Sequence, residues 1–263
     1  MIYFVLGILG LVMGSFVSAF VDRIHDGRDW VRGRSECDSC KTTLGSRDLI
    51  PLLSWLLNRG RCRHCKSKVS IQYPLLELTT AGLFITIYAF WPFELSGFEY
   101  SRLVFWLVTI VGFVALSLYD IKWLLLPNKI LYPLIALTVA FITVEAAFFD
   151  GGTELVRDSV LGLLACGGVF YILFQVSSGK WIGGGDVKLG FLLGLLLADP
   201  YKSLLVILLS SIIGILIALP GLLLKKMGPK TQMPYGPALM LATVIVFLWG
   251  EQLINWYTSD ILL

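Results

Sequence analysis

Charged residues and histidines are both scarce in this chain of 263 residues. Asp, Glu, Lys and Arg make up only 15% of the sequence against 57% hydrophobic residues, and the mean hydropathy is +0.81. So little charge excludes an ordinary soluble domain. The two histidines, His25 and His64, both lie within residues 22–73. The rest of the sequence therefore offers no histidine for a Ser-His-Asp triad.

The sequence also lacks the signal of a nucleotide-binding loop and that of a cleaved signal peptide. The run Gly183-Gly184-Gly185-Asp186 has glycines like those of a phosphate-binding loop, but no Gly-Lys-Ser/Thr follows it. This argues against a nucleotide site there. The first apolar run has no Ala-x-Ala-like cleavage site, so we expect it to stay in the protein as a helix rather than be removed as a signal peptide.

The chain does have a series of apolar runs, most of them about 17–22 residues long, which is the length a helix needs to cross a bilayer. We therefore predict an all-α polytopic membrane protein with about eight transmembrane helices. The expected spans are 2–21, 74–92, 103–119, 130–149, 159–176, 187–198, 202–224 and 236–257. The sixth is short enough to be a tilted or half-buried helix.

The distribution of basic residues predicts the orientation in the membrane. Eleven of the 21 Lys and Arg residues lie within 22–73. If that segment is cytoplasmic and the helices alternate, only Arg102, Arg157 and Lys202 fall outside, as the positive-inside rule expects. The net charge of +3 then reflects topology and attraction to anionic membrane lipid, and we expect no nucleic-acid partner.

Residues 22–73 contain two cysteine pairs, Cys37–Cys40 and Cys62–Cys65. Pairs with this spacing form the two knuckles of a tetrahedral four-cysteine zinc site. Disulfides are the alternative, but a reducing cytoplasm disfavours them, and a redox motif would need a βαβ context. Four protein ligands close the site, so we expect zinc to fold the segment and not to catalyse. The expected organisation is a first transmembrane helix at 1–21, a cytosolic zinc-binding domain at 22–73 and a helical bundle at 74–263.

Three carboxylates are predicted at the inner end of the helical bundle: Glu77, Asp120 and Asp186. Asp120 ends the third expected span, and Asp186 opens the sixth directly after three glycines. Ionisable residues at membrane depth are costly and are functional candidates by default. Ordinary explanations also exist. Asp186 fits a helix N-cap, and Asp120 fits a solvated helix end or a partner of Lys122.

If Asp120 and Asp186 meet, they have the chemistry of an aspartic protease. Adjacent carboxyls share a proton because both cannot ionise, so one serves as base for a water and the other as acid for the leaving amine. Glycines beside Asp186 allow close backbone approach and positive φ, which suits a site that holds an extended peptide.

Two other classes stay open. A proton-coupled carrier would use the same aspartates as a relay and would show an inverted repeat, and the sequence has no convincing one. A non-catalytic membrane adapter would use the cysteine segment to dock a secretion or pilus component.

The ordered set of motifs resembles the bacterial type IV prepilin peptidase family, membrane aspartic proteases named for a Gly-x-Gly-Asp motif. The similar segments cover nearly the whole chain: Gly14-Ser15-Phe16, Ser35–Cys40, Asp48–Leu56, Arg59–Cys65, Tyr73–Glu77, Asp120 with Leu126-Pro127-Asn128, Gly183–Leu189 and Pro234–Pro237. Each is weak alone, but their order is specific. Ser18, Asp38 and Asn128 depart from the family's usual residues without removing a predicted catalytic group.

The resemblance implies an activity and the residues that perform it. Asp120 and Asp186 would be the catalytic pair, and Gly183 and Gly185 would shape the active-site loop. The implied metal ligands are Cys37, Cys40, Cys62 and Cys65. Members cleave a basic leader from type IV prepilins and pseudopilins at the cytoplasmic face of the bacterial inner membrane. These precursors serve pili, type II secretion or DNA uptake.

The resemblance also implies a second activity. Many members methylate the newly exposed amino group with S-adenosylmethionine. No signature in this sequence locates the methyl-donor site. Glu77 is a candidate to bind the precursor or the cofactor, and a bond to a neighbouring helix is the alternative.

Overall fold

The computed structural model describes residues 1–149, 151–224 and 232–260. The helices along these ranges are α1 (Ile2–His25), α2 (Leu53–Leu57), α3 (Gln72–Ala89), α4 (Glu99–Trp123), α5 (Asn128–Phe148), α6 (Gly152–Ser177), α7 (Gly184–Leu197), α8 (Pro200–Leu223) and α9 (Gly236–Asp260). A short 3-10 helix covers Ser46–Asp48.

The predicted all-helical, multi-pass membrane fold is confirmed, but the expected count of eight spans is not. Within the described ranges, six helices are long and apolar enough to cross a membrane, namely α1, α4, α5, α6, α8 and α9. The remaining two expected spans correspond to α3 and α7. Since α7 has 14 residues, it extends only about 21 Å at 1.5 Å per residue, less than the hydrocarbon thickness of about 30 Å.

Two compact units divide the chain, and the boundary falls inside α4, at Leu118 and Tyr119. In the first unit, α1 packs against α3. The contact is closest near Gly10, where a Cβ atom would lie 2.4 Å from the Cα of Ala81. Only glycine fits there, and small residues of this kind let membrane helices approach closely.

In the second unit, α7 is the central helix. Apolar side chains are buried along its whole length, including Val187, Leu189, Leu192 and Leu193, as expected for a helix that is hydrophobic all round. It packs most extensively against α6, where a Cβ on Gly162 would lie 2.5 Å from the carbonyl oxygen of Gly194. The central position of α7 fixes the helix start that carries Asp186.

Candidate active site

Asp120 lies in the last turns of α4 and is only 6% exposed. Its Oδ2 atom accepts a hydrogen bond of 2.9 Å from the backbone N–H of Gly236, the first residue of α9. The first N–H groups of a helix have no partner inside the helix, and a carboxylate is favourable beside them. The start of α9 therefore fixes the orientation of the Asp120 carboxyl.

Asp186 is the third residue of α7. Its side chain turns back along the chain, and Oδ2 accepts a hydrogen bond of 3.3 Å from the backbone N–H of Gly183. The residue is half-buried, and the Asp120 carboxyl is near enough for its charge to influence Asp186. The structure thus brings the two aspartates within range of each other inside the second unit, at the end of α4 and the start of α7.

The glycines before Asp186 act through their small size. In the described part of the chain, Gly183, Gly184 and Gly185 do not have positive φ angles. The conformational freedom that we expected of these glycines is therefore not used. A Cβ on Gly185 would lie 3.2 Å from the Cβ of Leu126. The missing side chain lets the segment that follows α4 approach the start of α7.

The four cysteines converge in the first unit. All four are free thiols, and their Sγ atoms lie within 4.8 Å of one another. This cluster can hold a metal ion, and four thiolates in such a group suit the tetrahedral coordination of zinc. The set fits the metal that the sequence predicts.

The two cysteine pairs fold alike. In the first pair, the N–H of Cys37 donates to the carbonyl of Thr42, and in the second the N–H of Cys62 donates to the carbonyl of Ser67. A single antiparallel bridge closes each turn, Glu36 with Thr43 and Arg61 with Lys68. Each pair is therefore a self-contained turn that presents two sulfur atoms.

Local hydrogen bonds favour the thiolate at two of the four cysteines, Cys37 and Cys65. The backbone N–H groups of Cys40 and Ser39 lower the pKa of the Cys37 thiol to about 6. The hydroxyl of Ser67 lowers the pKa of Cys65.

At Cys62 the backbone N–H groups of Cys65 and His64 also lower the pKa, but burial and the side chains of Cys37 and Cys65 raise it above its ordinary value. Since the thiolate is the form that binds metal, Cys37 and Cys65 are the sulfur atoms that the turns prepare for a cation.

Glu77 lies in the first unit, on α3, and is 6% exposed. Its Oε2 atom accepts a hydrogen bond of 2.7 Å from the backbone N–H of Leu52, and its side chain also bonds to Ser15 on α1. Leu52 has a φ of 61°, a conformation that is costly for a leucine. Glu77 thus bonds to a neighbouring helix and also holds the chain just before α2. A role in binding precursor or cofactor stays a prediction.

Sequence reasoning missed two contacts. It quoted Pro234–Pro237 as a motif at the start of the last helix but gave Gly236 no role, and the structure bonds this residue to Asp120. Tyr235, next to it, forms a hydrogen bond of 2.7 Å with Ser210 on α8. The only signal was an unusual Pro-Tyr-Gly-Pro sequence before an apolar run.

These features define a class: a polytopic helical membrane protein with a paired-carboxyl site and a four-cysteine site. A family profile described as Bacterial Peptidase A24 N-terminal domain matches residues 8–91, and one described as Type IV leader peptidase family matches residues 107–219. The chain belongs to the type IV leader peptidase family, as its motifs predicted.

Relatives with the name prepilin leader peptidase/N-methyltransferase match over most of the chain. The protein of Stutzerimonas stutzeri is 31% identical and the alignment covers 95% of this chain and 91% of the relative. The protein of Aeromonas salmonicida is 35% identical, with coverage of 87% and 76%. The protein of Bacillus subtilis is 30% identical, with coverage of 96% of each chain. No solved structure matches.

Proposed function

We propose that this chain cleaves the basic leader from type IV prepilins or pseudopilins and then methylates the new N-terminal amino group. The observation that carries the proposal is that the end of α4 and the start of α7 place Asp120 and Asp186 near each other, in a chain that belongs to this family. The sequence left three functions open: leader cleavage, proton-coupled transport and a non-catalytic adapter. Membership of this family favours leader cleavage, in which the two aspartates are the catalytic pair.

In the proposed cleavage, the two carboxyls share one proton. One carboxylate takes a proton from a water molecule, whose oxygen attacks the scissile carbonyl carbon. The other carboxyl gives its proton to the leaving amine nitrogen as the C–N bond breaks. The N–H groups of Gly236 and Gly183, which bond to Asp120 and Asp186, orient these carboxyls before the substrate arrives.

The proposed substrate matches the predicted depth of the aspartates. A prepilin-like precursor has a basic leader followed by an apolar helix, so its scissile bond would lie where the membrane interior meets the cytoplasm. The concentration of basic residues in 22–73 supports a cytoplasmic location for that segment and for the active site at the inner membrane.

We further propose that the four cysteines hold a structural zinc ion, because four converging thiols leave no open coordination position for a substrate. S-adenosylmethionine is the methyl donor of the second activity and would supply a methyl group to the amine that cleavage exposes.

Co-expression with a prepilin in cells that lack their own peptidase tests the proposal. Mass spectrometry of the pilin N-terminus should show loss of the leader and a mass increase of one methylene. The inactive comparison is the doubly substituted protein, Asp120→Asn with Asp186→Asn. Asp158→Asn is the matched control because Asp158 forms a surface ion pair with Arg157.

Two results would overturn the proposal. Cleavage that survives the double substitution at full rate would exclude the aspartic mechanism. An uncleaved precursor with the unsubstituted protein would exclude leader cleavage and favour the carrier or the adapter.

A further inference from the structure

A cavity of about 410 Å³ lies within the first unit. Its walls come from the last turns of α1, the cysteine segment and the start of α3. Small-molecule sites in proteins occupy about 300–1,000 Å³. The cavity is therefore large enough for a nucleoside-sized ligand, and apart from Cys37 and Cys62, which are proposed to hold zinc, the function proposed above gives its lining no role.

The lining of this cavity carries charges of both signs: seven basic side chains and five carboxylates. Such a mixture disfavours a polyanion, which would meet the carboxylates, and it equally disfavours a basic leader peptide, which would meet the arginines and lysines. The lining suits a ligand that itself carries positive and negative groups.

Glu77 differs from Glu36 and Asp48, two of the other carboxylates of the lining. Glu36 and Asp48 approach Arg28 and Arg63 at 4.0 and 3.8 Å. The hydrogen bonds of Glu77 come from neutral donors, the N–H of Leu52 and the side chain of Ser15. A buried carboxylate with neutral partners attracts a cation, because the surrounding low dielectric strengthens the interaction.

Two aromatic rings also line the cavity, those of Trp55 and Tyr73. The indole is held firmly, since Nε1 donates to the carbonyl of Val69 at 3.2 Å and the ring packs on Gly60. Carboxylates lie near the second ring, where the charges of Asp38 and Asp22 act on Tyr73. Flat rings stack with a nucleobase, and carboxylates bind ribose hydroxyls.

We propose that this cavity binds S-adenosylmethionine, with Glu77 opposite the positively charged sulfonium. The inference rests on the proposed methyltransferase activity, and it names the place and the residues of that activity. Each recognition element has a counterpart in the ligand: aromatic rings for the adenine, carboxylates for the ribose, basic side chains for the ligand's carboxylate, and Glu77 for the sulfonium.

A pair of ligands that differ in one charge tests the assignment of Glu77. S-adenosylmethionine has a sulfonium, whereas S-adenosylhomocysteine has a neutral thioether. Equilibrium binding of each is measured by calorimetry on the full-length, zinc-loaded protein in lipid nanodiscs. Glu77→Gln keeps an oxygen that can accept from Leu52 but removes the charge. We expect it to weaken S-adenosylmethionine binding about tenfold or more and S-adenosylhomocysteine binding about twofold or less.

Two further variants keep the test decisive. Glu94→Gln makes the same charge change at an exposed residue of the first unit that does not line the cavity, and both affinities should stay unchanged. Ala19→Phe adds a ring inside the cavity, and both ligands should be lost while zinc content stays normal. An equal loss of both ligands in Glu77→Gln, or normal binding in Ala19→Phe, would overturn the assignment.

The outcome is separable from that of the proposed function. If the protein cleaves and methylates a precursor while Ala19→Phe binds S-adenosylmethionine normally, the assignment of the methyl donor to this cavity is wrong and the proposed function stands. If the protein binds S-adenosylmethionine at this cavity but leaves precursors uncleaved, the donor site stands and the peptidase proposal fails.

Discussion

The four-cysteine site and the paired-carboxyl site are built in opposite ways. Each cysteine pair is formed by a single turn with its own hydrogen bonds, such as those from Cys37 to Thr42 and from Cys62 to Ser67. The carboxyl site needs three helices. Asp120 on α4 accepts a hydrogen bond from Gly236 at the start of α9 and lies near Asp186 on α7. Local spacing specifies the first site, and helix packing specifies the second.

This difference shows which changes each site can tolerate. A turn that closes on itself loses its function only when a ligand or the turn is altered. A site assembled from distant helices is also sensitive to residues that carry no reactive group, such as Gly185 beside Leu126. Four measurements test this difference between the two sites, beginning with the variant that should lose most.

Removal of the first cysteine pair should have the largest effect. Cys37→Ser with Cys40→Ser leaves two ligands of four, and structural zinc in small domains contributes about 10–16 kcal/mol of apparent binding free energy. We expect zinc content, measured by elemental mass spectrometry, to fall from about one ion per chain to none. Limited proteolysis should then cut within 22–73. Cys166→Ala is the control, since Cys166 is buried alone in α6; a normal zinc content in the double variant would contradict the metal site.

The two aspartates should behave as one unit. Asp120→Asn and Asp186→Asn should each reduce the cleavage rate by about 10²–10⁴, the range of general acid–base catalysis. The double variant should be no slower than the worse single variant, because a shared proton has no function once either carboxyl is gone. Rates are measured on purified protein with a synthetic precursor. Losses that multiply would show independent roles, and zinc content should stay normal throughout.

Gly236 should matter for cleavage although it has no side chain. In Gly236→Ala the new Cβ would lie 2.8 Å from Oδ2 of Asp120, so the carboxyl must move. A displacement of about 1 Å at a catalytic group costs up to about a hundredfold, and we expect cleavage to fall about tenfold to a hundredfold. Gly168→Ala is the matched control, because apart from its chain neighbours and the nearby backbone of its own helix, no heavy atom in the described part of the chain lies within 4 Å of its Cβ position. Equal activity of both variants would count against the placement of Asp120.

Tyr235 should have the smallest effect, and on stability. Tyr235→Phe removes the hydrogen bond to Ser210, and side-chain hydrogen bonds between membrane helices contribute on average about 0.6 kcal/mol. A small decrease in the thermal unfolding midpoint of the detergent-solubilised protein is expected. Tyr132→Phe is the control, since its ring keeps the contact with Lys188. A decrease of the same size in the control would remove any special role for the Tyr235 hydroxyl.

The sequence predicted features that depend on local pattern. Apolar length located the helices because the bilayer imposes a length on each span, and the spacing of Cys37, Cys40, Cys62 and Cys65 predicted converging thiols because a tight turn is a local structure. The count of eight spans is not confirmed, since α7, the sixth expected span, has an apolar sequence but only 14 residues.

The sequence could not predict contacts that depend on how helices pack. The bond from Gly236 to Asp120 joins residues 116 positions apart, and no local pattern encodes it. The same is true of Glu77, whose bond to Leu52 depends on the packing of α3 and the path of the preceding segment. In both cases a motif was visible but its partner was not.

Because its ligands come from two turns, the four-cysteine cluster has a consequence during synthesis. The chain leaves the ribosome at about 5–20 residues per second, so Cys65 follows Cys40 after roughly 1–5 s. Throughout that interval the apolar sequence of α1 is already made and can enter the membrane. The first cysteine pair supplies only two of the four ligands that the metal site needs. Binding of the proposed zinc ion can therefore be completed only after Cys65 is made, when most of the segment between α1 and α3 has left the ribosome, and it would tie together residues near both ends of that segment.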